Sequence, residues 1–274
     1  MKKIFLLFGV FLFITPLFAD IDTNNQAKDL FFLFKNSIDF WLPKILEVAT
    51  WLFWAFVTID WVLTFGYMAL KGTDFAEIFG ELIRKVILIG FFMMFFTFTS
   101  WLNTIPQSFS QLADIANGTS ISITVDSILE EAVNIFWAFV QGFSITNLVN
   151  SLALFFCALI SAVLLAYIGG RLFVVQLSLY IKITLAPLIF SLAGLTQTRQ
   201  MAVNPFFSII KGGFELFLLK LFLGLSLTIF IQFSNEVQPD LQSAIMVVLV
   251  PILIAMLITN IPSIVESLLS GSLS

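Results

Sequence analysis

Long apolar runs alternate with short polar interruptions along this chain. Lys2-Lys3 precede an apolar run from Ile4 to Phe18, and Ala19-Asp20 close it. A basic start, an apolar core shorter than the ~20 residues of a membrane span and a small residue at the end predict a Sec signal peptide over 1–19. Residues 20–44 are mixed. Ala27, Leu30, Phe31, Phe34, Ile38, Trp41 and Leu42 recur at helical spacing, with Lys28, Lys35, Asn36 and Asp39 largely between them. This pattern predicts an external amphipathic segment. Periodicity alone fits a helix lying on the outer face of the membrane and one packed on neighbouring subunits equally well.

Residues 45–102 read as a first transmembrane pair. The first span runs from about Ile45 to Leu70, with Asp60 well inside it, and the second from about Leu82 to Leu102. Lys71, Glu77, Glu81, Arg84 and Lys85 form the polar connection. Residues 103–147 then hold two amphipathic stretches, neither apolar enough to span. Ile105, Phe109, Leu112 and Ala116 line the first. In the second, Ser127 and Glu130 stand at capping-box spacing ahead of Ala132, Val133, Phe136, Val140 and Phe143. Both stretches are expected on the membrane surface or on a partner, separated by Gly118-Thr119-Ser120.

Residues 148–260 read as a C-terminal transmembrane bundle and 261–274 as a tail. A span from Leu148 to Ile168 reaches Gly169-Gly170-Arg171, and 172–195 is apolar but carries Lys182 and Pro187. Lys211 to Phe233 is apolar with Glu215 and Lys220 inside, 235–242 is acidic, and 243–259 is a last span with Pro251. Residues 86–170 contain no Lys or Arg, so the positive-inside rule puts 103–147 outside and Lys71, Arg84 and Lys85 in the cytoplasm. That sidedness agrees with the signal peptide. The second half admits two solutions. A full crossing by 172–195 makes six spans, with the tail outside. A segment that dips in and returns makes five, with Arg199, Lys211 and the tail inside, and this fits the charge rule better.

Composition settles the class. The chain has 274 residues, 59% apolar and 11% charged, with 34 Phe. Soluble domains carry about 25% charged residues, so the surplus apolar surface here must face lipid. The expected fold is therefore an all-α integral membrane protein: a signal peptide, five or six transmembrane helices and an external amphipathic-helix loop. With no His, imidazole metal sites and His-based triads are excluded, and the single Cys157 excludes an intrachain disulfide or a Cys–Cys metal pair. The net charge of −4 makes tight nucleic-acid binding unfavourable, because that affinity rests on Lys and Arg. No catalytic residue, metal or cofactor is expected, and no Walker, dinucleotide or zinc-protease motif is present.

The remaining candidates are ionisable groups within apolar stretches: Asp60, Lys182, Glu215 and Lys220. Such a group costs about 2.5–3.5 kcal/mol at a span centre unless it meets protein or water. They are candidates for lining a conduit or for interhelix ion pairs, and Lys211 and Glu215 share a helix face. Ala158, Ala162 and Ala166 recur every fourth residue ahead of Gly169-Gly170, a pattern that lets helices pack closely in lipid.

The order of short motifs resembles a known family. Trp41-Leu42-Pro43-Lys44-Ile45-Leu46, Trp51-Leu52-Phe53-Trp54, Ile59-Asp60, Leu70-Lys71-Gly72-Thr73-Asp74-Phe75 and Glu81-Leu82-Ile83-Arg84-Lys85 lead into Gly90-Phe91-Phe92, Ser108-Phe109 and Gly118. Ala166-Tyr167-Ile168, Gly194, Thr198-Arg199, Ala202-Val203-Asn204, Lys211-Gly212-Gly213, Ile261-Pro262 and Leu269-Ser270-Gly271-Ser272 follow. From about residue 40 to the end the chain resembles the TrbL family of conjugal-transfer proteins, the counterpart of the sixth VirB-type component of type IV secretion systems. The resemblance implies a non-enzymatic, oligomeric scaffold and conduit in the bacterial inner membrane, its mature N-terminus periplasmic. It also implies work with pilin, stalk and inner-membrane subunits, with energy from partner ATPases. From the residues alone, a self-contained ion or solute transporter and a membrane immunity or entry-exclusion protein are the alternatives.

Overall fold

A computed structural model describes residues 23–97, 99–118, 123–141, 148–236 and 241–270. The signal-peptide reading of 1–19 lies outside them, as do the start of the 20–44 segment, Thr119-Ser120, 142–147, half of the acidic 235–242 loop and the end of the tail. Every regular element among the described residues is helical. Helix α1 spans Thr23–Lys71, α2 Phe75–Thr97, α3 Thr99–Leu102, α4 Thr104–Ala116, α5 Val125–Gln141 and α6 Leu148–Phe190. A 3₁₀ turn, Ser191–Gly194, leads to α7 Arg199–Ala202, α8 Asn204–Glu236 and α9 Leu241–Ser270.

Two helices are longer than the hydrophobic pattern suggests. The amphipathic segment and the first span form one 49-residue helix, α1, through an exposed Pro43. Likewise α6 runs 43 residues without a break, so 148–168 and 172–190 are one rod. Residues 172–195 are thus neither a separate crossing nor a segment that dips in and returns. Gly169-Gly170 does not interrupt α6, because apolar surroundings offer its backbone no alternative hydrogen-bond partner. Pro187 stands near the end of α6, so the one intrahelical bond it removes, to the carbonyl of Ile183, is lost only a few residues before the helix stops at Phe190. At ~1.5 Å per residue α1 is about 74 Å long and α6 about 65 Å, against a hydrocarbon core of about 30 Å. Among the described residues three helices are long and apolar enough to cross a membrane, within Phe31–Lys71, Ser151–Gly194 and Val248–Leu269.

Helix α6 is the central element, with α1, α5, α8 and α9 along it. Most of its buried positions follow one another by three or four residues: Leu154, Ala158, Ser161, Leu165, Ile168, Leu172, Val175, Leu179, Ile183, Ala186, Phe190. This is a coiled-coil seam. It explains the fate of the small-residue stripe. A strict four-residue row drifts about 40° per step around a helix. Ala158 is therefore in the seam, Ala162 half-buried and Ala166 exposed. Gly169 is buried against Ile128 and Leu129 of α5, whereas Gly170 faces outward.

Turns follow from local chemistry. Gly72, at φ +68°, closes α1 with its N–H on Ala69 O at 3.3 Å, while the Thr73 N–H reaches Met68 O at 3.2 Å. Together these form a Schellman motif that a left-handed glycine permits. The cap of α5 lies one turn earlier than expected. Thr124 and Ser127 cap reciprocally, each backbone N–H donating to the other's hydroxyl at 3.1 and 3.2 Å, so Ser127 fills the role expected of Glu130.

The amphipathic 104–116 helix docks on its own chain. Phe109 and Asn117 sit where Cβ atoms on Gly213 and Gly224 of α8 would be, and Phe109 meets Phe214 edge-on at 5.9 Å. At 3.6 residues per turn Gly213, Lys220 and Gly224 fall within about 40° of one another on α8, so the two glycines cut a seat for α4. Helix α5 likewise folds back on α6, with Phe136 on Phe155 at 6.0 Å. At the other end of α6 the 3₁₀ turn lies against the backbone of α1. A Cβ on Gly194 would stand 2.6 Å from Phe53 O and 3.0 Å from Val57 N. Gly194→Ala is therefore expected to lower stability by about 1–3 kcal/mol through overpacking. Gly90→Ala, whose added Cβ meets nothing within 4 Å, is expected to be neutral or mildly stabilising. Thermal melts of the two variants in detergent check this.

Candidate functional site

Asp60 and Lys85 lie equally far along the chain from the Gly72 turn. An antiparallel hairpin of α1 and α2 therefore brings them level. The Lys85 ammonium donates to the Asp60 carboxylate and to the Thr64 hydroxyl, with both charged side chains buried. The second carboxylate oxygen faces the chain reversal after α6, where it accepts from the Thr196 N–H at 3.0 Å and the Thr196 hydroxyl at 2.7 Å. One carboxylate thus ties α1, α2 and the 195–198 turn. Arg199 adds a hydrogen bond to the Thr196 hydroxyl at 3.4 Å. Thr198 stiffens the turn from within, its hydroxyl donating to Leu192 O at 2.6 Å.

A cavity of about 400 Å³ reaches this cluster from between α1 and α2, lined by Thr64, Tyr67, Thr73, Glu77, Glu81 and Gln197 as well as the pair itself. Leu63 and Met68 complete its lining, so polar and apolar surfaces share the approach to the pair.

The second pair holds α4. Lys220 of α8 donates to Ser110 at 2.7 Å and meets Asp114 at 3.4 Å, while the Asn117 amide donates to Lys220 O at 3.2 Å. Lys220 is buried and Asp114 partly exposed. A third pair, Lys211–Glu266 at 3.0 Å, joins α8 to α9 at an exposed position, so Lys211 pairs across helices and not with Glu215.

Of the four charged candidates, the structure therefore gives Asp60 and Lys220 partners, on separate helix contacts. Lys182 and Glu215 are half-buried, and among the described residues neither has a hydrogen-bond or ion-pair partner. The Lys182 Nζ lies 3.8 Å from where a Cβ on Gly212 would stand. The four do not converge on one track. Lys85, Thr196, Ser110 and Asp114 are the functional partners that sequence reasoning missed. Equal spacing from the Gly72 turn would have found Lys85, whereas the register of α4 on α8 leaves no such trace. Outside the apolar stretches, burial raises the Glu131 carboxyl above the usual range, with the Asn134 hydrogen bond opposing and the Glu130 charge adding to the rise.

Breaking the buried pair is predicted to cost far more than breaking the exposed one. Lys85→Met strands the Asp60 carboxylate and should lower stability by about 3–5 kcal/mol. Lys211→Met removes an exposed pair and should change stability by about 1 kcal/mol or less. Equilibrium unfolding in detergent separates the two.

Long apolar helices joined by buried ion pairs define a helical membrane protein. Residues 57–261 match the family described as TrbL/VirB6 plasmid conjugal transfer protein, about three quarters of the chain. The chain belongs to that family, and is thus a component of conjugal-transfer type IV secretion. No curated protein is significantly similar to it. The matched range begins within α1 and ends within α9, so it contains both the Asp60–Lys85 and the Lys220–Asp114 pairs.

Proposed function

We propose that the chain is a non-catalytic channel and scaffold subunit of a type IV secretion system in the bacterial inner membrane. Several copies would act with pilin, stalk and inner-membrane subunits, supporting pilus assembly and passage of a conjugative substrate while partner ATPases supply the energy. The observation that carries this reading is the family match from Val57 to Ile261. The absence of His and the single Cys157 leave little catalytic chemistry to the chain itself.

In this reading the chain crosses five times, through α1, α2, α6, α8 and α9, after a Sec signal that leaves the mature N-terminus in the periplasm. Because α6 is one rod, 148–190 supplies a single crossing. The Thr196–Arg199 turn then belongs at the same end as Lys71, Arg84 and Lys85, which the positive-inside rule assigns to the cytoplasm. On this reading helices α4 and α5 and the acidic 235–242 loop lie outside, and the tail inside.

A donor deleted for this chain is expected to lose conjugal transfer and to regain it with the wild-type copy. A periplasm-active phosphatase fused at Gly118 is expected to be active, and one fused after Glu266 inactive. Undiminished transfer by the deletion strain would contradict the functional reading, and an inactive Gly118 fusion the topology.

A further inference from the structure

A second cavity, of about 260 Å³, lies between α1, α4, α6 and α8, apart from the Asp60 cluster. Lys35, Gln107 and Gln176 contribute to its polar lining, and Phe31, Phe32 and Leu179 to its apolar lining. Among the described residues none of those three polar side chains makes a salt bridge or a side-chain hydrogen bond, and Asp39, one turn along α1, leaves Lys35 unpaired. Lys35 brings a positive charge to these walls, and no carboxylate lines them. Its ammonium lies 5.4 Å from the centre of the Tyr180 ring, a contact that holds the cation in place without neutralising it.

The cavity stands near the outer edge of the hydrocarbon. Asp60 and Thr196 meet at the end of the bundle assigned to the cytoplasm. Along α1 and α6 the walls at Lys35 and Gln176 fall roughly 25–37 Å from that contact, against a hydrocarbon core about 30 Å thick. Lipid phosphates lie at that boundary. Phe32 and Gln107 are exposed, so the cavity opens outward between α1 and α4. A free phosphate ion would lose hydration against Phe31, Phe32 and Leu179, whereas a lipid phosphate arrives with acyl chains that cover them.

We propose that this cavity holds the headgroup of a net-anionic phospholipid from the outer leaflet. Its phosphate pairs with Lys35 and accepts from the Gln107 and Gln176 amides, and its acyl chains leave past Phe32. The missing carboxylate is what selects against a zwitterionic headgroup, whose ammonium would find no counter-charge on these walls. Helices α1 and α4 make little direct contact, so the lipid bridges them. The choice of leaflet rests on the five-crossing reading, which the Gly118 fusion tests separately.

The test uses the full chain, purified in mild detergent, stripped of native lipid and titrated with phosphatidylglycerol under native mass spectrometry. Phosphatidylcholine and inorganic phosphate are titrated in parallel. Phosphatidylglycerol binds more tightly than phosphatidylcholine, and inorganic phosphate does not displace it. Lys35→Ala weakens phosphatidylglycerol binding by about tenfold or more, equivalent to ~1.4 kcal/mol or more, and Lys35→Arg keeps most of it. Gln107→Trp retains the charge but fills the mouth of the cavity, and weakens binding as well. Lys44→Ala, which removes a lysine lying over Phe40 on the same helix but outside the cavity, leaves binding unchanged. Lys35 is half-buried and Gln107 exposed, so both variants fold, as melts without lipid check. Equal binding of phosphatidylcholine, displacement by inorganic phosphate at equal concentration, or equal losses from Lys35→Ala and Lys44→Ala would each overturn the proposal. So would binding that Gln107→Trp leaves intact. An inactive Gly118 fusion alongside intact lipid selectivity would overturn the assigned leaflet and leave the site standing.

Discussion

Asp60 sits where an unpaired carboxylate would be costly, and the way its charge is met fixes which helices lie together. Lys85 answers one oxygen from across the hairpin, and Thr196 answers the other from the reversal after α6. Removing either leaves a buried acceptor or charge with too few partners, a penalty larger than the gain from a typical hydrogen bond. Helix α2 itself has few other contacts, with α1, α6 and the 3₁₀ turn. The 3₁₀ turn beside it is pressed onto α1 by the missing side chain of Gly194. Polar satisfaction and close backbone approach therefore act at the same place.

The second half of the molecule repeats the strategy with different parts. A lysine and two glycines on one face of α8 receive the amphipathic helix α4, which would otherwise need the membrane surface or a partner to cover Phe109. Helix α4 is thereby anchored to the bundle by a polar pair near its C-terminal end and by aromatic packing before it. Within a secretion assembly, this arrangement would give partners on the outer side a fixed platform continuous with the helices below. The lengths of α1 and α6, both well beyond a bilayer core, point the same way: parts of each rod extend past the hydrocarbon or run strongly inclined through it.

Much of the fold was legible because apolar runs are long and the few charges fall between them. The helical class, the hairpin around Lys71–Asp74 and the amphipathic character of 104–116 all follow from pattern. The continuity of α6 did not, since Gly169-Gly170 and Pro187 look like interruptions where water competes for the backbone, and here it does not. The coiled-coil seam of α6 was hidden for a related reason: its outward face is as apolar as its inward one, so periodicity carries no contrast. Asp60 was identifiable as a costly charge, but its partner Lys85 was taken for part of a polar connection, although it lies ten residues into α2. The cap at Thr124 was missed because Ser127 occupies the position where a longer Glu or Gln is the usual sign.

The most direct test of this account is a double-mutant cycle between Asp60→Leu and Lys85→Leu, read by equilibrium unfolding of the full chain in detergent. If the pair is what holds α2 against α1 beside the chain reversal, each single change destabilises strongly. The double variant should then be more stable than the sum of the two losses predicts, by about 1–3 kcal/mol. Losses that add to within about 0.5 kcal/mol would show the two side chains acting independently, and would contradict the central role assigned to their contact.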